Sequence, residues 1–164
     1  ARLFTTMLGG PMSSRLFTEL RERRGLCYSI HAYHQSYSDA GQLVIGAGLN
    51  RAKLEEAIEA IFGEARKLLT SLTEPELDRA KSYLGGKLLL RLEASDELAD
   101  FYSAQLALDR VILTPKQWLA EVAATTIEAV EAAGRAMLAA KHRALAAMAT
   151  SLDQAKLERL LRSG

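Results

Sequence analysis

Residues 26–49 read LCYSIHAYHQSY, then SDAG, then QLVIGAGL, and this stretch decides the fold class. Residues 26–37 are rich in aromatic and β-branched side chains, and in residues 42–49 Leu43, Ile45, Ala47 and Leu49 alternate. Ser38-Asp39-Ala40-Gly41 between them has turn chemistry, so the spacing predicts an antiparallel hairpin. Downstream, Asn50 is a natural N-cap. Leu54, Ala57, Ile58, Ile61, Phe62, Ala65, Leu68 and Leu69 then recur at steps of three and four, with Glu and Lys opposite. That is the stripe of an amphipathic helix, which must be covered, and the hairpin is the obvious partner.

Further along, Thr73-Glu74-Pro75-Glu76 is a capping box with proline in the first turn. It predicts a long helical region to about Arg110, with Leu77, Ala80, Leu84, Leu88 and Leu92 as its inner row and a possible break at Ala94-Ser95-Asp96. Thr114-Pro115 starts a short helix through Ala123, and Thr125 to Glu128 reads as a capping box for a helix to about Lys141. Residues 143–149 are Ala-rich and read equally as a final strand or as more helix, and Ser151 to Gln154 caps a terminal helix.

Upstream of the hairpin, Arg2 to Leu8 reads as the tail of a helix stopped at Gly9-Gly10-Pro11, with glycine supplying a positive φ. Ser13 or Ser14 caps a short helix to about Arg24 with Leu16, Phe17 and Leu20 inward, and Gly25 ends it. The expected class is α+β, an antiparallel sheet with helices packed on one face, residues 1–164 forming a single domain. Two or three strands cannot shield such helices, so further N-terminal strands are expected upstream. Residue 1 is Ala, and the chain reads as a piece of a longer one.

Composition narrows function. The chain has 164 residues, 49% hydrophobic and 25% charged, with a net charge of +1. Basic residues are interspersed with acidic ones, as in Arg21-Glu22-Arg23-Arg24, which argues against a nucleic-acid partner. The apolar runs, such as Leu88-Leu89-Leu90, are too short to cross a bilayer, which argues against a membrane partner. A lone cysteine, Cys27, makes no internal disulfide and leaves the compartment open.

Chemistry-bearing constellations are few. His31 and His34, three apart on a strand, point to opposite faces, and His142 is remote. No H-E-x-x-H or H-x-x-E-H occurs, so no zinc-ligand set and no cofactor are expected in this chain. Cys27 reads as a small packing residue, and Ser13-Ser14 lacks a nucleophile elbow. Arg21, in the last turn of the short helix, and Tyr28, at the strand's start, could aim a guanidinium and a phenol into common space, as donors to a carbonyl or oxyanion. The residue types alone favour simpler roles, since arginine suits a helix C-terminus and tyrosine suits a strand.

The run from Leu8 to Ser29, LGGPMSSRLFTELRERRGLCYS, resembles the signature LGG-x-MSSRLF-x-ELRE-x-RGL-x-YS of the mitochondrial processing peptidase, pitrilysin and insulinase family of zinc peptidases. Tyr37 to Gly41 is similar to that family's hairpin turn, Leu72 to Lys81 to its T-x-x-E-L-x-x-A-K helix, Leu90 to Glu93 to its L-x-x-E, and Thr125 to Val130 to its T-x-x-x-V helix. The resemblance covers about residues 7–140. It implies a C-terminal, non-zinc half that closes on a homologous zinc-bearing half, on the same polypeptide or a separate subunit, around a peptide substrate. In such halves an arginine and a tyrosine bind the substrate backbone and the oxyanion. Those positions correspond to Arg21 and Tyr28, seven apart as in the family. Zinc is then expected in the partner half, and the chain alone is expected to be inactive. The alternative is an inactive structural or assembly subunit, as core proteins of a respiratory complex are in this family. Pro11 departs from the usual third glycine, and Ala144 to Ala149 is a weak match to the family's closing strand.

Overall fold

A computed structural model describes residues 1–108, 111–139 and 142–163. The order is α1 (Arg2–Gly9), a π-helical turn (Phe17–Arg23), β1 (Cys27–Ser36), β2 (Gly41–Leu49), a 3-10 turn (Arg51–Lys53), α2 (Leu54–Leu68), α3 (Glu74–Arg91), α4 (Ser95–Leu108), α5 (Pro115–Ala124), α6 (Ile127–Leu138) and α7 (Gln154–Ser163). The class is α+β. Among the described residues the sheet is one antiparallel pair, in which Ile30 faces Ala47, Ala32 faces Ile45 and His34 faces Leu43.

The core lies between that hairpin and the helices. α1 is buried from Leu3 to Gly9, as a helix surrounded by other elements must be. Phe4, Leu8, Leu16, Leu20, Leu26, Leu68 and Leu77 are the largest side chains enclosed there. α2 contributes Ala57, Ala65 and Leu68, and α3 contributes Leu77 and Ala80. Among the described residues no helix is long and apolar enough to cross a membrane.

Several local readings are corrected by tertiary causes. Gly10 ends α1 at φ −79°, not in the left-handed region. The reason for glycine here is proximity: a Cβ on Gly9 would sit 2.6 Å from the Ala32 backbone nitrogen, so the bare helix end can press on β1. Neither serine caps the next helical segment with a side-chain hydrogen bond. The Ser14 carbonyl accepts from the Thr18 N–H at 3.0 Å, while its hydroxyl is buried without a partner. Thr126, not Thr125, caps α6, and Thr125 instead donates its hydroxyl to the Glu121 carbonyl as α5 ends. α6 ends at Leu138 rather than near Lys141, which lies outside the described residues. The long helical region is broken between Arg91 and Ser95, and its expected end at Arg110 lies outside the described residues. Residues 143–149 form neither strand nor helix and are exposed. Asp153 starts α7, accepting from the Lys156 N–H at 3.0 Å.

Other readings stand. Asn50 accepts from the Ala52 N–H at 3.0 Å. The Glu76 carboxylate accepts from both the backbone N–H and the hydroxyl of Thr73. Gly25 has the positive φ, +56°, that ends the short helix.

Candidate functional site

The corner that carries Arg21 and Tyr28 is built by three local departures from regular structure. The first is the π-helical turn, in which the Arg24 N–H donates to the Glu19 carbonyl five residues back, at 3.1 Å. Such turns are uncommon and frequent at functional sites. The wider turn sets the Arg21 guanidinium 4.6 Å above the Phe17 ring. The second is Gly25, whose left-handed backbone reverses the chain so that the Leu26 N–H reaches back to the Leu20 carbonyl at 2.8 Å.

The third is an irregularity in β1. The register shifts between Cys27 and Ser29, so strict alternation fails there. Cys27 and Ile30 are buried, whereas Tyr28 and Ser29 are both exposed. A bulge of this kind re-aims a side chain. Tyr28 is left 84% exposed, with its ring 5.7 Å from the Arg21 guanidinium.

Arg21 differs from its neighbours in its partners. Arg15 pairs with Glu76, Arg23 with Glu19 and Arg24 with Glu56. Among the described residues Arg21 has no carboxylate and meets only the two aromatic faces. A guanidinium lying over ring faces keeps its N–H donors, which point outward in its own plane, available to an acceptor. Phe17 went unremarked as a ring partner in the sequence, although its place four residues before Arg21 is a helical contact spacing.

The corner is pinned by Arg15, which the sequence reading also passed over. Its guanidinium donates to both Glu76 oxygens, at 2.9 and 2.8 Å, and to the Ser71 hydroxyl and carbonyl, both at 2.7 Å. That bidentate bond holds the Glu76 carboxyl below the usual carboxylate range, against a smaller opposing effect of burial. The start of the helical segment leading to Arg21 is thereby tied to the first turn of α3.

Elsewhere the chemistry is sparse. Burial pushes the Cys27 thiol up, which opposes a nucleophilic role. His31 faces outward, while His34 lies on the helix side opposite Leu43, where burial lowers its pKa. Among the described residues no three His, Cys, Asp or Glu side chains group as a metal site.

Comparisons with known proteins agree with this architecture. Residues 1–84 match the family model described as the peptidase M16 inactive domain. An uncharacterised zinc protease of Bacillus subtilis is 39% identical over 95 residues, which is 57% of this chain and 23% of that protein. One from Streptomyces coelicolor is 31% identical over 137 residues, covering 83% of this chain and 30% of the relative. This chain thus spans under a third of the length of those relatives. The crystal structure of a peptidase M16 inactive domain from Pseudomonas fluorescens superposes with a TM-score of 0.66 at 27% identity, over 80% of this chain and 32% of that one. The chain belongs to the M16 peptidase family, and its first 84 residues are those of the family's inactive, C-terminal-type domain.

Proposed function

We propose that residues 1–164 form a single domain, the accessory half of a zinc-dependent endopeptidase, and that it acts when a homologous zinc-bearing half closes on it. The whole-protein activity is taken from relatives whose names describe zinc proteases. Zinc held by the other half would polarise the scissile carbonyl and activate water. The residues here have a different task. Arg21 donates to a carbonyl of an extended peptide or to the oxygen that gains charge during attack, and the Tyr28 hydroxyl donates alongside it.

The observation that carries this reading is the contrast between Arg21 and the arginines nearest it in sequence, Arg15, Arg23 and Arg24, each of which pairs with a glutamate. Arg21, with no carboxylate partner among the described residues, stands beside a tyrosine that is almost wholly exposed. A phenol turned outward by a bulge and 84% exposed adds little to folding, whereas a donor pair waiting for an oxyanion must be unengaged beforehand. An inactive structural subunit would have no use for the pair.

The test is Arg21→Ala and Tyr28→Phe in the assembled protein, zinc-bearing half included. Each is expected to lower kcat by about 10-fold or more, the scale of a lost oxyanion donor. Unchanged turnover in both variants would overturn the proposal in favour of the structural role.

A further inference from the structure

The sheet has two faces, and only one is packed. Ile30 and Ala32 are buried against the helices, and α1 presses on Ala32 through Gly9. The other face carries Ser29, His31 and Tyr33 from β1, set against Gly48, Gly46 and Val44 of β2. Ser29, His31 and Tyr33 are all exposed, Tyr33 by 45%. The His31 and Tyr33 rings are stacked, 6.0 Å apart and inclined by 11°.

The two glycines make this arrangement possible. A Cβ at Gly46 would lie 2.5 Å from the His31 ring, and one at Gly48 would lie 3.0 Å from the Ser29 hydroxyl. With no side chain in the way, His31 lies across β2. The surface is therefore a shallow floor with two nearly parallel rings on it. It is unlike a helix-packing face, which needs an apolar row, because polar Ser29, Gln35 and Gln42 border it.

Tyr28 and Ser29 point outward in succession because of the bulge, so the floor is continuous with the Arg21–Tyr28 corner. We infer that the His31–Tyr33 stack is the specificity-determining subsite of this half, which receives an apolar or aromatic side chain of the extended peptide whose backbone Arg21 and Tyr28 hold. Two flat rings offer area and stacking at little entropic cost, and the glycine strip lets a peptide backbone come close. This inference rests on the proposed peptidase role. It assigns binding and discrimination to His31 and Tyr33, where Arg21 and Tyr28 carry rate.

The experiment uses the assembled protein, the double variant His31→Ala/Tyr33→Ala, and two labelled peptides that differ in one residue, Phe or Gly, placed in turn at each position flanking the cleaved bond. Wild type is expected to favour the Phe peptide at one of those positions. The double variant is expected to lose about 5- to 10-fold of that preference, the scale of one aromatic contact. The loss should appear in KM and in equilibrium binding by anisotropy, with kcat and the unfolding midpoint unchanged. Equal binding of the peptides by wild type, or unaltered preference in the double variant, overturns the inference. So does a fall in kcat without a change in KM. A dimer seen by sedimentation and dissociated by the double substitution would assign the face to a second copy and also overturn it. Anisotropy reads binding without turnover, so silent Arg21 and Tyr28 variants would sink the catalytic reading while leaving this result interpretable.

Discussion

The corner made by α1, the π-helical turn and the hairpin contrasts with the outer helices α4, α5 and α7. α1 is enclosed from Leu3 to Gly9, whereas α4 and α5 bury no residue at all. α7 lies against α2 and leaves Leu157, Leu160 and Leu161 only half-buried. Large apolar side chains of the outer region stand in solvent, among them Leu106 at 71% and Met148 at 101% exposure. The difference teaches that the core is organised around α1. Burial concentrates on that helix and the elements packed on it, while Arg21 and Tyr28 are themselves exposed.

The sharpest way to break that comparison is to cut the enclosed end. Phe4 is fully buried, and a Cβ on Gly134 of α6 would come within 2.5 Å of its ring, so the site has no slack. Phe4→Ala is expected to cost about 3–5 kcal/mol, the range for a large aromatic truncated in a core. Leu106→Ala should stay within about 0.5 kcal/mol. Denaturant titration of both variants measures the contrast, and equal losses would abolish it.

A smaller effect is expected at the pin between the corner and α3. Glu76→Gln removes a carboxylate that accepts two bonds from Arg15, and should cost about 1.5–3 kcal/mol at neutral pH, as for hydrogen bonds to charged groups. The sign of its pH dependence follows from the direction of the shift. The folded-state pKa is depressed, chiefly by the Arg15 hydrogen bond. The stabilisation is therefore fully present above the unfolded-state value and is lost as pH falls through the folded one. The gap between wild type and Glu76→Gln should thus begin to close as pH falls below about 4.5, the ordinary glutamate value, and should vanish only below the depressed folded-state value. A gap that stayed constant as pH fell through that range would mean that the cost of the substitution does not come from the charged carboxylate.

The same contrast explains what was legible in the sequence. The α2 stripe from Leu54 to Leu69 and the alternation of Leu43 and Ile45 were readable because periodicity reports burial directly. Gly25 was readable because few residues tolerate its backbone. The candidate pair itself was legible only through the resemblance of the run from Leu8 to Ser29 to the family signature, since the residue types alone favour simpler roles. What brings the two together was not. A π-helical turn has no composition of its own, and the bulge at Tyr28 is a matter of register: two steps of β1, Cys27 to Ser29, are set against the single step Leu49 to Gly48 of β2. Arg15 and Glu76 are 61 residues apart, and no local pattern joins them. Gly9 was read as a conformational stop when its cause is the nearness of Ala32.

The smallest expected effect lies at the last helix. α7 is tied to α2 by an ion pair between Lys156 and Glu55, whose side chains are 46% and 48% exposed, while Arg51 bonds Thr150 and Ser151 just ahead of the helix. Exposed pairs contribute little after screening and side-chain entropy. Lys156→Ala should accordingly shift the global unfolding midpoint by less than the equivalent of about 0.5 kcal/mol. Its effect should be local instead. With no buried residue among its described positions, α7 can open without disturbing α1 or β1. Amide exchange in α7 is expected to run well ahead of exchange in β1 in wild type, and to accelerate further in Lys156→Ala while β1 is unchanged. If α7 and β1 exchanged at one common rate, the outer helices would belong to the same cooperative unit as the corner, and the contrast in burial would have no counterpart in stability.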